Sequence, residues 1–345
     1  MPDSQSQACQ TIHQLEWLIQ TDLGHRGIHQ IPGKNLCTFC QGNLYRAVEF
    51  LAENPGIGVA IVTGFFIPTA NPPSPENDGP PGALLISRGL HRLGYSVQLI
   101  TDANCILPLQ QGLRLFQNEI ELIEFPFEIE AANQFLQHFF YDQRILKCLI
   151  SIERVGPCHT ASSFSNQTQQ PGKEELEHFK KFGPQHLSGK CLTMSGISVS
   201  EYAAPIHLLF DKKYHTEPVF TIGIGDGGNE IGMGSIPWRV IADNILNGLG
   251  GKIACSILAD ATIVAGVSNW AGYALIASLY LYLGREKELA ALLSEATETE
   301  LMEIFFTSKS TVDGKLGVPA MSVDGIDWRV HLNMIRLIKT VTCNM

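Results

Sequence analysis

The sequence predicts an α/β protein: a mostly parallel sheet with helices on both faces, in three layers, and a site at the carboxyl ends of the strands. Three observations predict it. Short β-branched runs such as GVAIVT (Gly58–Thr63) alternate along the chain with stretches whose apolar residues recur at helical spacing. Those runs are apolar throughout, as strands covered on both faces are. Several of them end on an acidic residue, at the sheet edge where open α/β folds bind their ligands.

Residues 12–21 and 43–53 read as helices. Gly58–Thr63 is the first buried strand, and residues 68–81 form an irregular Pro- and Gly-rich stretch. Residues 83–93 are expected to be helical, because Ile86, Leu90 and Leu93 share a face and Gly94 can end the helix. Tyr95, Val97 and Leu99 alternate as a strand that reaches Asp102. Residues 130–140 read as a helix and 145–152 (ILKCLISI) as a strand ending at Glu153. Residues 218–224 (PVFTIGI) lead as a strand to Asp226, and 253–258 as another toward Asp260. Residues 270–283, 288–306 and 328–341 read as helices. Residues 158–190 are polar and are expected to form a mobile surface insertion or lid on one catalytic domain spanning 1–345.

The 345 residues suffice for a sizeable core, and 45% hydrophobic against 17% charged residues marks a globular chain. With 24 basic and 34 acidic side chains the net charge is −10, which argues against nucleic acid and anionic membranes as partners. The first twenty residues lack a basic segment followed by an apolar one, so no secretory signal is read. The uncharged run 261–283 is broken by Gly266, Ser268, Asn269 and Gly272. It suits a buried strand, a turn and a buried helix better than a membrane span. Nine scattered cysteines, with Cys37 and Cys40 as a lone CxxC pair, fit reduced thiols in a cytoplasmic protein. A homo-oligomer is compatible with this composition.

The richest motif is GIGDGGNEIGMG, residues 223–234. Its glycine spacing is that of a dinucleotide loop, but Asp226 stands where a pyrophosphate would sit, so no nucleotide cofactor is expected. With Glu230 one helical turn on, Asp226 suits a metal ion or a ligand ammonium better. In a parallel sheet, Asp78, Asp102, Glu153, Asp226 and Asp260 would gather near one edge. Several carboxylates in one cleft do not all stay ionised without a cation, and hard oxygen donors suit Mg²⁺ or Mn²⁺, with Ca²⁺ also admitted. Asp102 and Asp260 serve equally well as helix caps. Ser268 and Asn269 follow a buried strand and open a buried helix, where free backbone N–H groups bind carboxylates.

GDGGNEIGMG followed by AGVSNWAGYAL resembles the D-glutamate cyclase family. So do DLGHRGI (22–28), NDGPPGA (77–83), IERVG (152–156) and SVDG (322–325), in the same order through nearly the whole chain. The resemblance implies a lyase that cyclises D-glutamate to 5-oxo-D-proline with loss of water. That chemistry needs a base for the amine, a positive group on the γ-carboxylate and an acid for the departing oxygen. On this reading the catalytic set is Glu153, Asp226 and Glu230. Asp78, Asp226 and Glu230 hold a divalent metal or the substrate ammonium, Arg154 clamps a substrate carboxylate, and Ser268 and Asn269 orient the α-carboxylate. The chain departs from the family pattern after Gly156, where Pro157 and the polar insertion follow. It departs again at Ser195, where the family usually has arginine. These departures bear on the substrate more than on the fold. Two other readings stay open: a metal-dependent phosphohydrolase of a small phosphate ester, and a non-catalytic binder of small acids or metals.

Overall fold

The structure is a computed structural model that describes residues 4–117, 119–142, 146–167, 171–245 and 248–343. Six strands form its sheet: β1 Gly58–Thr63, β2 Ser96–Thr101, β3 Glu121–Glu124, β4 Leu146–Ile152, β5 Phe220–Gly225 and β6 Ala261–Val264. All neighbours are parallel, in the order β3-β2-β1-β4-β5-β6. The order reverses between β1 and β4. At such a switch point neighbouring connections leave toward opposite faces and open a crevice at the carboxyl ends. The register lines those ends up: Thr63 pairs with Ile152, and Ile152 with Ile224. Residues just past the three central strands therefore meet at one edge.

The period of two within β1 builds the layers. Val59 and Ile61 point into the larger core, beneath helices Ser4–Ile19, Asn43–Glu53, Pro80–Arg92, Ser268–Tyr282 and Trp328–Cys343. Ala60 and Val62 point the other way, toward helix Ile129–Asp142 and the short turn Ile206–Phe210. The expected three-layer α/β fold is thus present. Ser268–Tyr282 is buried for nearly its whole length, which explains why its sequence is apolar on every side. It follows β6 directly, so the run 261–283 is the strand, turn and buried helix read from the sequence. Among the described residues no helix is long and apolar enough to cross a membrane.

Three expectations need correcting. Residues 253–258 are not a strand: a helical turn, Gly250–Ile253, runs into irregular chain, and the strand begins at Ala261. Ile253, Ala254 and Cys255 are buried against loops and the Ile257 carbonyl accepts the amides of Gly232 and Gly234, while Leu258 is exposed, so the apolar composition reflects loop packing and not a strand. Asp260 accordingly lies at the amino end of the sheet, accepting from the Thr221 amide and hydroxyl. Residues 288–306 form two helices, Glu286–Leu292 and Glu295–Ser308, because Ser294 caps the second. The insertion 158–190 holds two helices, Ala161–Gln167 and Lys173–Phe182, with residues 168–170 outside the described set. Phe164 stacks on Phe179 at 4.2 Å, and both meet Trp238 edge-on. The edge strand β3 and helix Ile106–Phe116 were not read from the sequence. Residue 145, the expected start of β4, lies outside the described residues.

Candidate active site

A cleft of about 530 Å³ opens at the switch point. Glu76, Glu153, Asp324 and Arg26 line it, together with His25, Phe65, Thr193, Met194, Ser195, Asn229, Lys315 and Leu316. Glu153 is the first residue past β4. Its backbone adopts a left-handed conformation (φ 43°), and its amide donates to the carbonyl of Ile224 at the end of β5. A non-glycine residue in that region costs about 1 kcal/mol and is held by its surroundings. Those surroundings include the Ser268 hydroxyl, which donates to Glu153 Oε2 at 2.6 Å.

Behind Glu153 lies the glycine-rich loop, and Glu230 explains its composition. The carboxylate of Glu230 folds back into its own loop and accepts the amides of Asp226, Gly227 and Gly228 at 3.3, 2.7 and 2.8 Å. It occupies the nest that a phosphate takes in nucleotide folds. Glycine is required for this: a Cβ on Gly225 would lie 2.8 Å from Glu230 Oε2, and Gly223 and Gly232 cross with no room for one.

Asp78 is held in a similar way. Its two oxygens accept the amides of Gly79, Ser268 and Asn269, so it caps helix Ser268–Tyr282 from outside the helix. Asn269 returns the arrangement: its Oδ1 accepts the amides of Gly79 and Gly82 at the start of helix Pro80–Arg92. The two helices thus cap each other. Asp226 differs from both. It is fully buried and neither of its oxygens accepts a hydrogen bond, although Oδ2 stands 3.0 Å from Nη2 of Arg26. The same Nη2 lies 2.8 Å from Asp324.

Five carboxyl groups (Glu76, Asp78, Glu153, Asp226 and Asp324) therefore feel one guanidinium, and Glu230 stands behind them against Glu153 and Asp226. Burial pushes Glu76, Asp78, Glu153 and Asp226 well above the usual carboxylate range. Neighbouring carboxylates reinforce this, while Arg26 and, at Asp78, the amides oppose it. Burial disfavours the charge on Arg26, but Asp226, Asp324 and Glu153 outweigh that and hold it protonated. Ligand atoms of Asp78, Asp226 and Asp324 lie within 4.8 Å of one another, as do those of Glu153, Asp226 and Glu230. Asp226 belongs to both groups and accepts no backbone amide, but Arg26 already stands 3.0 Å from its Oδ2, so a hard divalent ion would have to share Asp226 with that cation. Asp78 and Glu230 already serve backbone amides.

A family model described as D-glutamate cyclase-like, C-terminal, matches residues 15–339. The chain belongs to the D-glutamate cyclase-like family. It is 29% identical to the human protein named D-glutamate cyclase, mitochondrial, over 97% of its own length and 52% of that relative's. It thus spans about half the length of the curated relative it matches.

In this D-glutamate cyclase-like chain the motif residues separate into those that meet and those that do not. Asp78, Glu153, Asp226 and Glu230 do come together. Arg154, expected to clamp a substrate carboxylate, is 1% exposed. Its guanidinium is taken by Asp102 at 2.6 Å and by the carbonyls of Gly64 and Ala204. Ser268 and Asn269, expected to orient a carboxylate, are fully buried and do not line the cleft; one holds Glu153 and the other caps a helix. Ser195 does line the cleft. Three site residues were not assigned from the sequence: Arg26, Glu76 and Asp324. Arg26 and Asp324 lie inside the motifs DLGHRGI and SVDG, and Glu76 precedes NDGPPGA, so the motifs were the signal that could have found them.

Proposed function

We propose that the chain is an enzyme of D-glutamate cyclase type, dehydrating D-glutamate intramolecularly to 5-oxo-D-proline. The observation that supports this best is Glu153 facing Arg26 across one cleft: a carboxyl group raised by burial beside a cation held from behind by two aspartates. In the reading, the substrate ammonium sits against Glu153, and the γ-carboxylate lies on the edge of Arg26 turned away from Asp226 and Asp324. Glu153 takes a proton from the amine, whose nitrogen then attacks the γ-carboxyl carbon. Arg26 stabilises the oxyanion of the adduct. A C–O bond breaks as the C–N bond forms. The two protons lost by the ammonium leave on the departing oxygen as water, so no co-reactant is needed. Ring closure within one bound molecule removes most of the entropic barrier. A carboxyl group raised above the usual carboxylate range suits this exchange because it is a stronger base than an ordinary carboxylate.

Asp226, whose oxygens accept no backbone amide, is the residue proposed to hold a Mg²⁺ or Mn²⁺ ion beside Arg26, joined by an oxygen of Glu153 or Asp324. Such an ion would supply further positive charge for the carboxylate.

Incubation of the full chain with D-glutamate, with and without Mn²⁺, tests the proposal. Chiral chromatography is expected to show loss of the primary amine and appearance of 5-oxo-D-proline. Unchanged D-glutamate under every metal condition, or release of phosphate from small phosphate esters instead, overturns it.

A further inference from the structure

The cleft carries its charges in a gradient. Its buried floor is acidic, with Glu76, Glu153 and Asp324, and Arg26 is already engaged by two aspartates. Lys315 differs from the rest of the lining: it is an exposed lysine that makes no ion pair among the described residues. Its position is nonetheless fixed. Buried Asp313 accepts the amides of Lys315 and Leu316 through Oδ1, and the Ser322 hydroxyl and Gly325 amide through Oδ2. Gly314 is pressed against the Glu76 carboxylate, where any Cβ would lie 2.0 Å from Oε2. The stem of Lys315 lies over Gly325, next to Asp324. Backbone and stem are thus held while the ammonium remains available to a ligand.

We infer that Lys315 is a specificity-determining residue that receives the non-reacting carboxylate of the substrate, so that the site selects dicarboxylic amino acids over ω-amino acids with a single carboxylate. The inference rests on the proposed cyclase reading, in which Glu153 takes the amine and Arg26 the reacting carboxylate. A third, outer point of attachment at Lys315 also distinguishes one enantiomer from the other.

The test compares the full chain with Lys315→Met, which keeps the stem, and Lys315→Arg, which keeps the charge. D-Glutamate turnover is measured alongside calorimetric binding of glutarate and of 4-aminobutanoate, which lacks the α-carboxylate. Lys315→Met is expected to raise KM for D-glutamate about fivefold with kcat within about twofold, the scale of an exposed ion pair. It should weaken glutarate to a similar degree and leave 4-aminobutanoate unchanged, and Lys315→Arg should restore the KM and the glutarate affinity. Turnover with an unchanged KM in Lys315→Met overturns the inference and leaves the cyclase reading standing. No turnover, with glutarate binding still weakened by Lys315→Met, removes the cyclase reading and the substrate role built on it, leaving Lys315 only as a carboxylate contact. Absence of turnover with glutarate binding absent or indifferent to the substitution overturns both.

Discussion

Arg26 and Arg154 both lie beneath the carboxyl ends of the strands and both pair with aspartate, yet only Arg26 faces the cleft. Arg154 is sealed at 1% exposure, its donors divided among Asp102 and two carbonyls. Arg26 keeps 17% exposure and lines the cleft, with Asp226 and Asp324 both approaching its Nη2. A third arginine, Arg88, completes the series: it is buried, its Glu298 partner stands 4.0 Å away, and Nη1 has no hydrogen-bond partner. Residue type and burial do not separate a structural cation from a functional one. What separates them is whether the side chain reaches the cleft, which Arg26 does and Arg154 and Arg88 do not.

Substitutions put this contrast at risk. The largest effects are expected at the first two arginines, and they should differ in kind. Arg154→Met leaves Asp102 buried without its cation and should lower unfolding free energy by about 3–5 kcal/mol in denaturant titrations, with kcat per folded molecule unchanged. Arg26→Met also leaves buried Asp226 and Asp324 without their cation and should cost stability too, but it alone should reduce kcat per folded molecule, by about 10²–10³. Equal loss of activity in both variants would erase the distinction. Next in size, Glu153→Gln should lower kcat about 10²-fold, because the base is gone while its hydrogen bond from Ser268 survives.

Arg88 sharpens the comparison through pH. Burial raises its partner Glu298 to about 7, from 4.5 in the unfolded chain. Between those values the folded state holds a proton that the unfolded state has released. The associated stability is therefore complete below pH 4.5 and lost as pH rises through 7, a loss of up to about 3 kcal/mol. Glu298→Gln should match the parent protein near pH 4 and exceed it by about 3 kcal/mol near pH 8. A difference independent of pH would contradict this. The smallest effect is expected at Ser268→Ala, which removes one hydrogen bond to Glu153. It should cost about tenfold in kcat and shift the acidic limb of the pH–rate profile upward, since the hydroxyl favours the ionised carboxylate.

The same contrast shows where sequence reasoning succeeded and where it stopped. β1, β4 and β5 are buried on both faces, and their unbroken apolar runs announced them. β3 is an edge strand with half-exposed residues, so ELIE carried too little apolar signal to stand out. The glycine-rich loop was legible because glycines in that density imply backbone in close quarters. Which of its two acids stays free was not, since Asp226 and Glu230 have the same chemistry and differ only in the amides that reach them. Arg154 was chosen for its place beside Glu153, but side chains of consecutive residues leaving a strand point to opposite sides. Arg26 and Asp324 are 298 positions apart and meet only because the N-terminal loop and the Asp313-braced turn fold over the same sheet edge. No local pattern encodes such a meeting.

Asp226 is the point where the two candidate ligand groups and the Arg26 ion pair coincide, so the account stands or falls there. The most direct measurement is D-glutamate cyclisation by Asp226→Asn, read beside its thermal unfolding. The account predicts a loss of activity of about 10²-fold or more in a variant that still folds cooperatively, with a melting temperature below that of the parent chain, because Arg26 loses one of its two carboxylate partners. Activity within about twofold of the parent, in a variant that folds normally, would contradict it.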